Sequence, residues 1–187
     1  MAIALLLLAL VIILAAIGVS SYNGLIAARN QTDEAWSDIN VQLKRRYDLI
    51  PNLVETVKGY ATQEKSVLEE VTQARANAIA AGGQGAVAQQ GAENQLTGAL
   101  RSVFAVAEAY PDLKSSANFQ QLSGEITDTE NKIEAARRFY NANVRDYNTK
   151  LQVFPTNIFA RNLGFTTKDL FQVDEAAVAE APKVSFS

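Results

Sequence analysis

The sequence predicts an all-α protein in which one N-terminal transmembrane helix is followed by an antiparallel four-helix bundle. Three observations predict it. An unbroken apolar run opens the chain, apolar residues then recur at spacings of three and four for most of its length, and no run long enough for a sheet strand alternates convincingly with period two. With 187 residues, 48% of them hydrophobic and 20% charged, the chain carries enough apolar side chains to build a core.

Residues 1–19 read MAIALLLLALVIILAAIGV, with no polar side chain, and no formal charge precedes Arg29. As a helix this run spans roughly 28 Å, about the hydrocarbon thickness of a bilayer. A cleaved signal peptide is the competing reading. It lacks support because there is no basic leader, the apolar run is long, and no clean small-x-small cleavage site follows it. Residues 1–20 are therefore expected to be an uncleaved anchor. Arg29, Lys44, Arg45 and Arg46 follow the span and none precedes it, so the positive-inside rule favours a cytoplasmic bundle, although only Arg29 lies close to the membrane.

A first soluble helix carries Tyr22, Leu25, Ile26, Trp36, Ile39 and Leu43 on one stripe. It is expected to stop between Tyr47 and Asn52, because a residue before proline avoids the α region and Pro51 suits a new first turn. The second helix holds Leu53, Val54, Val57, Tyr60, Ala61, Val67, Leu68 and Val71, and breaks at Gly82-Gly83-Gln84-Gly85. The third places Leu96, Leu100, Val103 and Val106 together and ends at Tyr110-Pro111. The fourth carries Phe119, Leu122, Ile126, Thr129, Ile133, Ala136 and Tyr140 in a seven-residue repeat. After one stutter the seam resumes through Val144, Tyr147, Leu151 and Phe154. Asn118 with Gln121 is expected to cap its start. Short connections between four amphipathic helices imply an antiparallel bundle over residues 21–154. A Phe-rich extension and acidic tail then occupy residues 155–187.

Several uncommon strings occur in order: Tyr22-Asn23-Gly24-Leu25, Arg29-Asn30, Ala35-Trp36, and the run from Val41 to Glu55, VQLKRRYDLIPNLVE. Thr129-Glu130-Asn131, the run from Ala136 to Asn141, Tyr147-Asn148 and Phe154-Pro155 follow. In these strings the chain resembles the LemA family from the anchor to about Phe171. The resemblance implies a bacterial cell membrane protein built as an anchored four-helix bundle without established enzymatic activity, with some relatives implicated in organising membranes. It supplies no catalytic residue.

Composition points the same way. The chain has no histidine and no cysteine, which removes the usual general base, the commonest metal ligand and thiol chemistry. No catalytic, cofactor-binding or metal-ligating residue is assigned, and no cofactor is expected. A net charge of -3 without a basic stripe or stacking platform gives no support for nucleic acid. The glycine-rich stretch from Gly82 to Gly91 has no following Gly-Lys-Ser/Thr and reads as a flexible connection, not a phosphate loop.

Three polar or aromatic groups remain. Asp128, Glu130, Lys132, Glu134, Arg137 and Arg138 form the densest polar cluster, read as helix-surface pairs (Asp128 with Lys132, Glu134 with Arg138), with Arg137 set to reach a neighbouring helix. Lys44-Arg45-Arg46 reads as a solvated helix end, the rival being a docking patch for an acidic partner or anionic lipid; on an upright helix it stands on the order of 35 Å beyond the span. Four of the eight phenylalanines fall between Phe154 and Phe171, expected at the membrane end of the bundle. That segment either caps its own bundle, lies at the lipid interface or meets a neighbouring subunit. In the tail, alternating Val184 and Phe186 are expected to dock residues 182–187 in a groove on a bundle surface, a neighbour's in preference to their own.

The expected function is that of a non-enzymatic scaffold that self-associates as a homo-oligomer at the bacterial inner membrane, with membrane lipid as a partner. The alternative is an adaptor with an unidentified protein partner, tethering or regulating a membrane enzyme such as a protease.

Overall fold

The structure is a computed structural model that describes residues 1–172, so the expected docking of residues 182–187 lies outside the described residues. Every regular element among them is a helix: α1 (Ala2–Lys58), α2 (Lys65–Ala81), α3 (Ala86–Ala109), α4 (Pro111–Ser115), α5 (Ala117–Gln152) and α6 (Thr156–Asn162). The all-α class and the long apolar N-terminal helix stand as expected.

Two boundaries differ from the sequence reading. The helix expected to end before Pro51 runs through it to Lys58. Proline cannot donate to the carbonyl four residues back, which would leave the Tyr47 carbonyl without its helix partner. The Arg75 Nε donates to that oxygen at 2.7 Å. The Pro51 ring faces solvent, where it displaces nothing. The break falls instead at Gly59, where the Tyr60 and Ala61 amides both turn back to the Val57 carbonyl. Tyr60, expected on the apolar stripe, is consequently exposed. The second difference concerns Asn118. It lies inside the first turn of α5, since the helix starts at Ala117, and so does not cap it.

The chain forms two compact units. The first comprises Met1–Asn40 and Ala135–Leu170. In it, residues 1–17 are exposed throughout, and an 18-residue window of α1 with mean hydropathy 3.2 has no buried residue. By length and composition this helix is able to cross a membrane. Further along α1, Leu25, Ala28, Thr32, Ala35 and Ile39 turn inward, as do Tyr140, Val144 and Tyr147 of α5. The Trp36 and Tyr140 rings meet at 5.2 Å. Tyr140 is buried as expected, whereas Trp36 is only half-buried.

After α6 the chain returns as an extended strap held by side chains of α5. Tyr147 Oη donates to the Thr166 carbonyl at 3.0 Å, Tyr140 Oη to the Asp169 carbonyl at 3.0 Å, and Asn148 pairs with both backbone groups of Lys168. Lys168 in turn forms an ion pair with Asp33 of α1.

The second unit comprises Val41–Glu134 with the described residues from Phe171. One core joins Ile50, Leu53 and Val57 of α1, Leu68, Val71 and Ala78 of α2, Leu96, Leu100 and Val103 of α3, Leu113 of α4, and Phe119 and Ile126 of α5. The stripes of the second and third expected helices and the start of the fourth contribute to it. Gly83 and Gly85, at φ 83° and 98°, make the α2–α3 turn in backbone conformations that side chains disfavour.

Candidate functional site

The most distinctive chemistry of the chain is a buried polar centre in the second unit. On α1 the buried positions Ile39, Leu43, Arg46, Ile50, Leu53 and Val57 step by four and three, so the register of the apolar stripe itself carries Arg46 inside. Its side chain is 1% exposed. On α3, Gln89, Glu93 and Thr97 lie at successive spacings of four and share one face. From α5, Glu130 turns in beside them.

The guanidinium joins the three helices. Nη2 forms an ion pair with Glu93, while Nη1 reaches both Glu130 and the Thr97 hydroxyl, the latter at 3.2 Å. Glu93 also accepts from the Tyr47 hydroxyl and from the Gln89 amide. Gln89 Nε2 further donates to the Ala78 carbonyl at 3.2 Å, which ties α2 into the network. Burial, followed by the hydrogen bond to the Glu93 carboxylate, pushes the Tyr47 phenol far above its usual range.

A buried charge persists only where its desolvation is offset by partners of good geometry. Here Glu93 receives three donors, which occupies most of its acceptor capacity and leaves little room for a general base or a metal ligand. Among the described residues, no group of three or more acidic, histidine or cysteine side chains is placed to hold a metal ion. The arrangement links α1, α3 and α5 through one guanidinium.

The polar groups singled out from sequence are redistributed. Asp128 and Lys132 make the expected i,i+4 pair at 2.7 Å, which holds the Asp128 carboxyl below its ordinary range. Glu130, assigned to the same surface cluster, points inward to Arg46 instead. The Lys44-Arg45-Arg46 run divides: Lys44 pairs with Asp48 at 2.7 Å in solvent, Arg45 is exposed, and Arg46 is buried. The reading of all three as a solvated helix end is therefore corrected, since α1 neither ends there nor leaves Arg46 outside. Gln89, Glu93 and Tyr47 were not singled out. The available signal was positional, because stepping back from Leu96 by three and then four lands on Glu93 and Gln89, polar residues on an apolar stripe.

The phenylalanines from 154 to 171 also separate. Phe154 is 79% exposed, and Phe159 touches α1 at Gly18, whose added Cβ would stand 3.4 Å from the ring. Phe165 meets Tyr22 edge-on at 6.1 Å beneath the Arg29 guanidinium, and Phe171 is buried.

The profile of the LemA family matches residues 35–186. Protein LemA of Metamycoplasma hominis is 32% identical over 155 residues, which cover 82% of this chain and 69% of that protein. A magnetosome protein MamQ of Paramagnetospirillum magneticum is 26% identical over 175 residues, 81% of this chain and 64% of the relative. The magnetosome protein MamQ of Magnetospirillum gryphiswaldense is 24% identical over 174 residues, 80% of this chain and again 64% of the relative. This chain thus spans less than two thirds of the magnetosome proteins it matches. The profile covers the Arg46 centre, its partners on α3 and α5 and the strap that follows α6, and the chain belongs to the LemA family.

Proposed function

We propose that this protein is a non-enzymatic scaffold of the bacterial inner membrane, anchored by residues 1–20 and self-associating as a homo-oligomer through its helical body. In this reading residues 21–154 act as an antiparallel four-helix bundle and residues 155–187 as its extension, with membrane lipid as a direct partner and the bundle on the cytoplasmic side. The observation that carries it is the division of labour along α1. That one helix begins as a bare apolar run and later supplies the buried stripe around Arg46. Within the Arg46 centre the ionisable groups bond to one another, which favours a mechanical role over a chemical one. The naming of three matched relatives as magnetosome proteins is in keeping with membrane association.

Light scattering on the full chain in detergent tests the assembly. A uniform particle of several copies is the expected result, and a monomer at all concentrations would overturn self-association. One observation favours the adaptor as a second reading. An open groove of about 1000 Å³ lies between the last turns of α1 and the first turns of α2, lined by Val54, Lys58, Leu68 and Thr72. A detergent monomer that retains one protein in fixed stoichiometry would support that alternative.

A further inference from the structure

The seam of α5 is buried or half-buried at every position from Phe119 to Leu151, and its last member departs from that pattern. Phe154 is turned out, 79% exposed, and is not alone: Val153, Ile158 and Leu163 are 46%, 52% and 53% exposed. Four large apolar side chains within eleven residues face away from the first unit's own core. Large apolar side chains exposed so close together in sequence point to a membrane or partner contact.

The position of this group on α1 identifies the cover. Pro155 lines a cleft with Ile13, Ala16, Ile17, Ser20 and Ser21, and the Phe159 ring rests at Gly18. These are the last residues of the apolar run and the first polar ones after it. If residues 1–19 cross the bilayer, the hydrocarbon boundary falls near Val19, and Ile17 lies only about 3 Å below it at 1.5 Å per residue. The α6 region is thus attached at the depth where the anchor leaves the lipid. Its polar residues suit the same level, since Asn157, Arg161 and Asn162 are exposed and an arginine there extends its charge to the headgroups while its stem stays apolar. Farther along α1, Phe165 packs against Tyr22 and Arg29, which holds the returning strap.

We propose that Val153, Phe154, Ile158 and Leu163 form a second membrane contact, a foot that lies in the lipid interface beside the anchor and fixes the tilt and rotation of the first unit on the membrane. The occupant of this surface is the bilayer. The proposal rests on the membrane-spanning reading of residues 1–19, and the test separates the two.

The chain has no cysteine, so single labelling sites are clean. Leu8→Cys, Phe154→Cys, Ile158→Cys and Phe139→Cys are each labelled with an environment-sensitive fluorophore in the full chain. Each is reconstituted into vesicles of phosphatidylethanolamine and phosphatidylglycerol that carry a nitroxide-lipid quencher. Phe139 is an exposed residue of α5 about 20 Å before its end, and serves as the solvent reference. Interfacial side chains sit about 5–10 Å into the headgroup boundary. Sites 154 and 158 are therefore expected to be quenched by at least about half as much as site 8, with site 139 little affected. Quenching at site 8 with sites 154 and 158 no different from site 139 would overturn the foot and leave the anchor intact. No quenching at site 8 would overturn both. Sites 154 and 158 shielded from lipid but self-quenching at high labelling would place a second copy on the surface and overturn the lipid assignment. Circular dichroism of each labelled protein checks that it is folded.

Discussion

Arg75 of α2 donates its Nε to the backbone carbonyl of Tyr47, the acceptor in α1 that Pro51 leaves without a helix donor. One side chain therefore repairs the only interior proline of a long helix and ties α2 to it. The repair explains why a sequence signal that ordinarily ends a helix does not end this one.

The pairing makes a specific coupling testable. Arg75→Met, which keeps the aliphatic stem, should cost about 1–2 kcal/mol by orphaning a partly buried carbonyl. In a Pro51→Ala background residue 51 supplies its own amide, and the same change should cost about half as much or less. Urea unfolding of the four proteins in detergent measures the cycle. Equal costs in both backgrounds would mean that Arg75 does not serve the carbonyl.

The Arg46 centre should be costly to break and cheap to replace as a whole. Arg46→Met leaves Glu93 buried without its cation and should lose about 3–5 kcal/mol. Adding Glu93→Gln and Glu130→Gln removes the stranded charges and should recover a good part of that loss. A single-variant loss below about 1 kcal/mol would show that Arg46 is not the keystone of α1, α3 and α5.

Alkaline pH gives an independent reading of the same centre. Burial and the Glu93 hydrogen bond raise the folded-state value of the Tyr47 phenol, so the protonated form is favoured on folding. Its contribution is fully present below the unfolded value of about 10 and is lost as pH climbs from there toward the folded value. Tyr140 and Tyr147, also raised by burial, add to the decline. Tyr47→Phe should therefore reduce, without abolishing, the stability lost between pH 8 and pH 11. Identical pH slopes for the two proteins would remove Tyr47 from the account.

Much of this architecture was legible because periodicity is a property of the residues themselves. The seam from Phe119 to Leu151, the glycine break after Ala81 and the bare apolar run each follow from spacing or composition alone. What was not legible depended on partners distant in sequence. Pro51 predicts a stop until Arg75 is brought to the Tyr47 carbonyl across 28 residues. Arg46 reads as one of three surface cations until Glu93 and Glu130 close on it. Trp36 sits on a stripe, but the cover of its ring depends on packing across the unit, the Tyr140 ring included. Phe154 extends a seam whose helix stops at Gln152, so the register that predicts burial no longer applies to it.

The Trp36–Tyr140 pair should reflect that partial cover. Trp36→Ala is expected to cost about 1–3 kcal/mol, under the usual toll for a fully buried aromatic. Tyr140→Phe keeps the ring contact and loses the hydroxyl bond to the Asp169 carbonyl, a change of about 1 kcal/mol. Thermal unfolding with matched controls ranks the two. A Tyr140→Phe loss larger than that of Trp36→Ala would give the strap more weight than the rings.

Removal of residues 1–20 tests whether the apolar run is separable from the fold. Residues 1–17 are exposed throughout, and the buried positions of α1 begin at Leu25, so neither core loses a member. The shortened chain should stay in solution and keep its helical circular dichroism. Deletion does uncover Phe159, which rests at Gly18, beside the already exposed Phe154 and Ile158. The truncated protein should therefore still sediment partially with vesicles containing phosphatidylglycerol, and Phe154→Ser with Ile158→Ser should abolish that residual binding. Collapse of the helical signal would show that the run is integral to the fold. A folded protein with no vesicle affinity would assign all membrane attachment to the anchor.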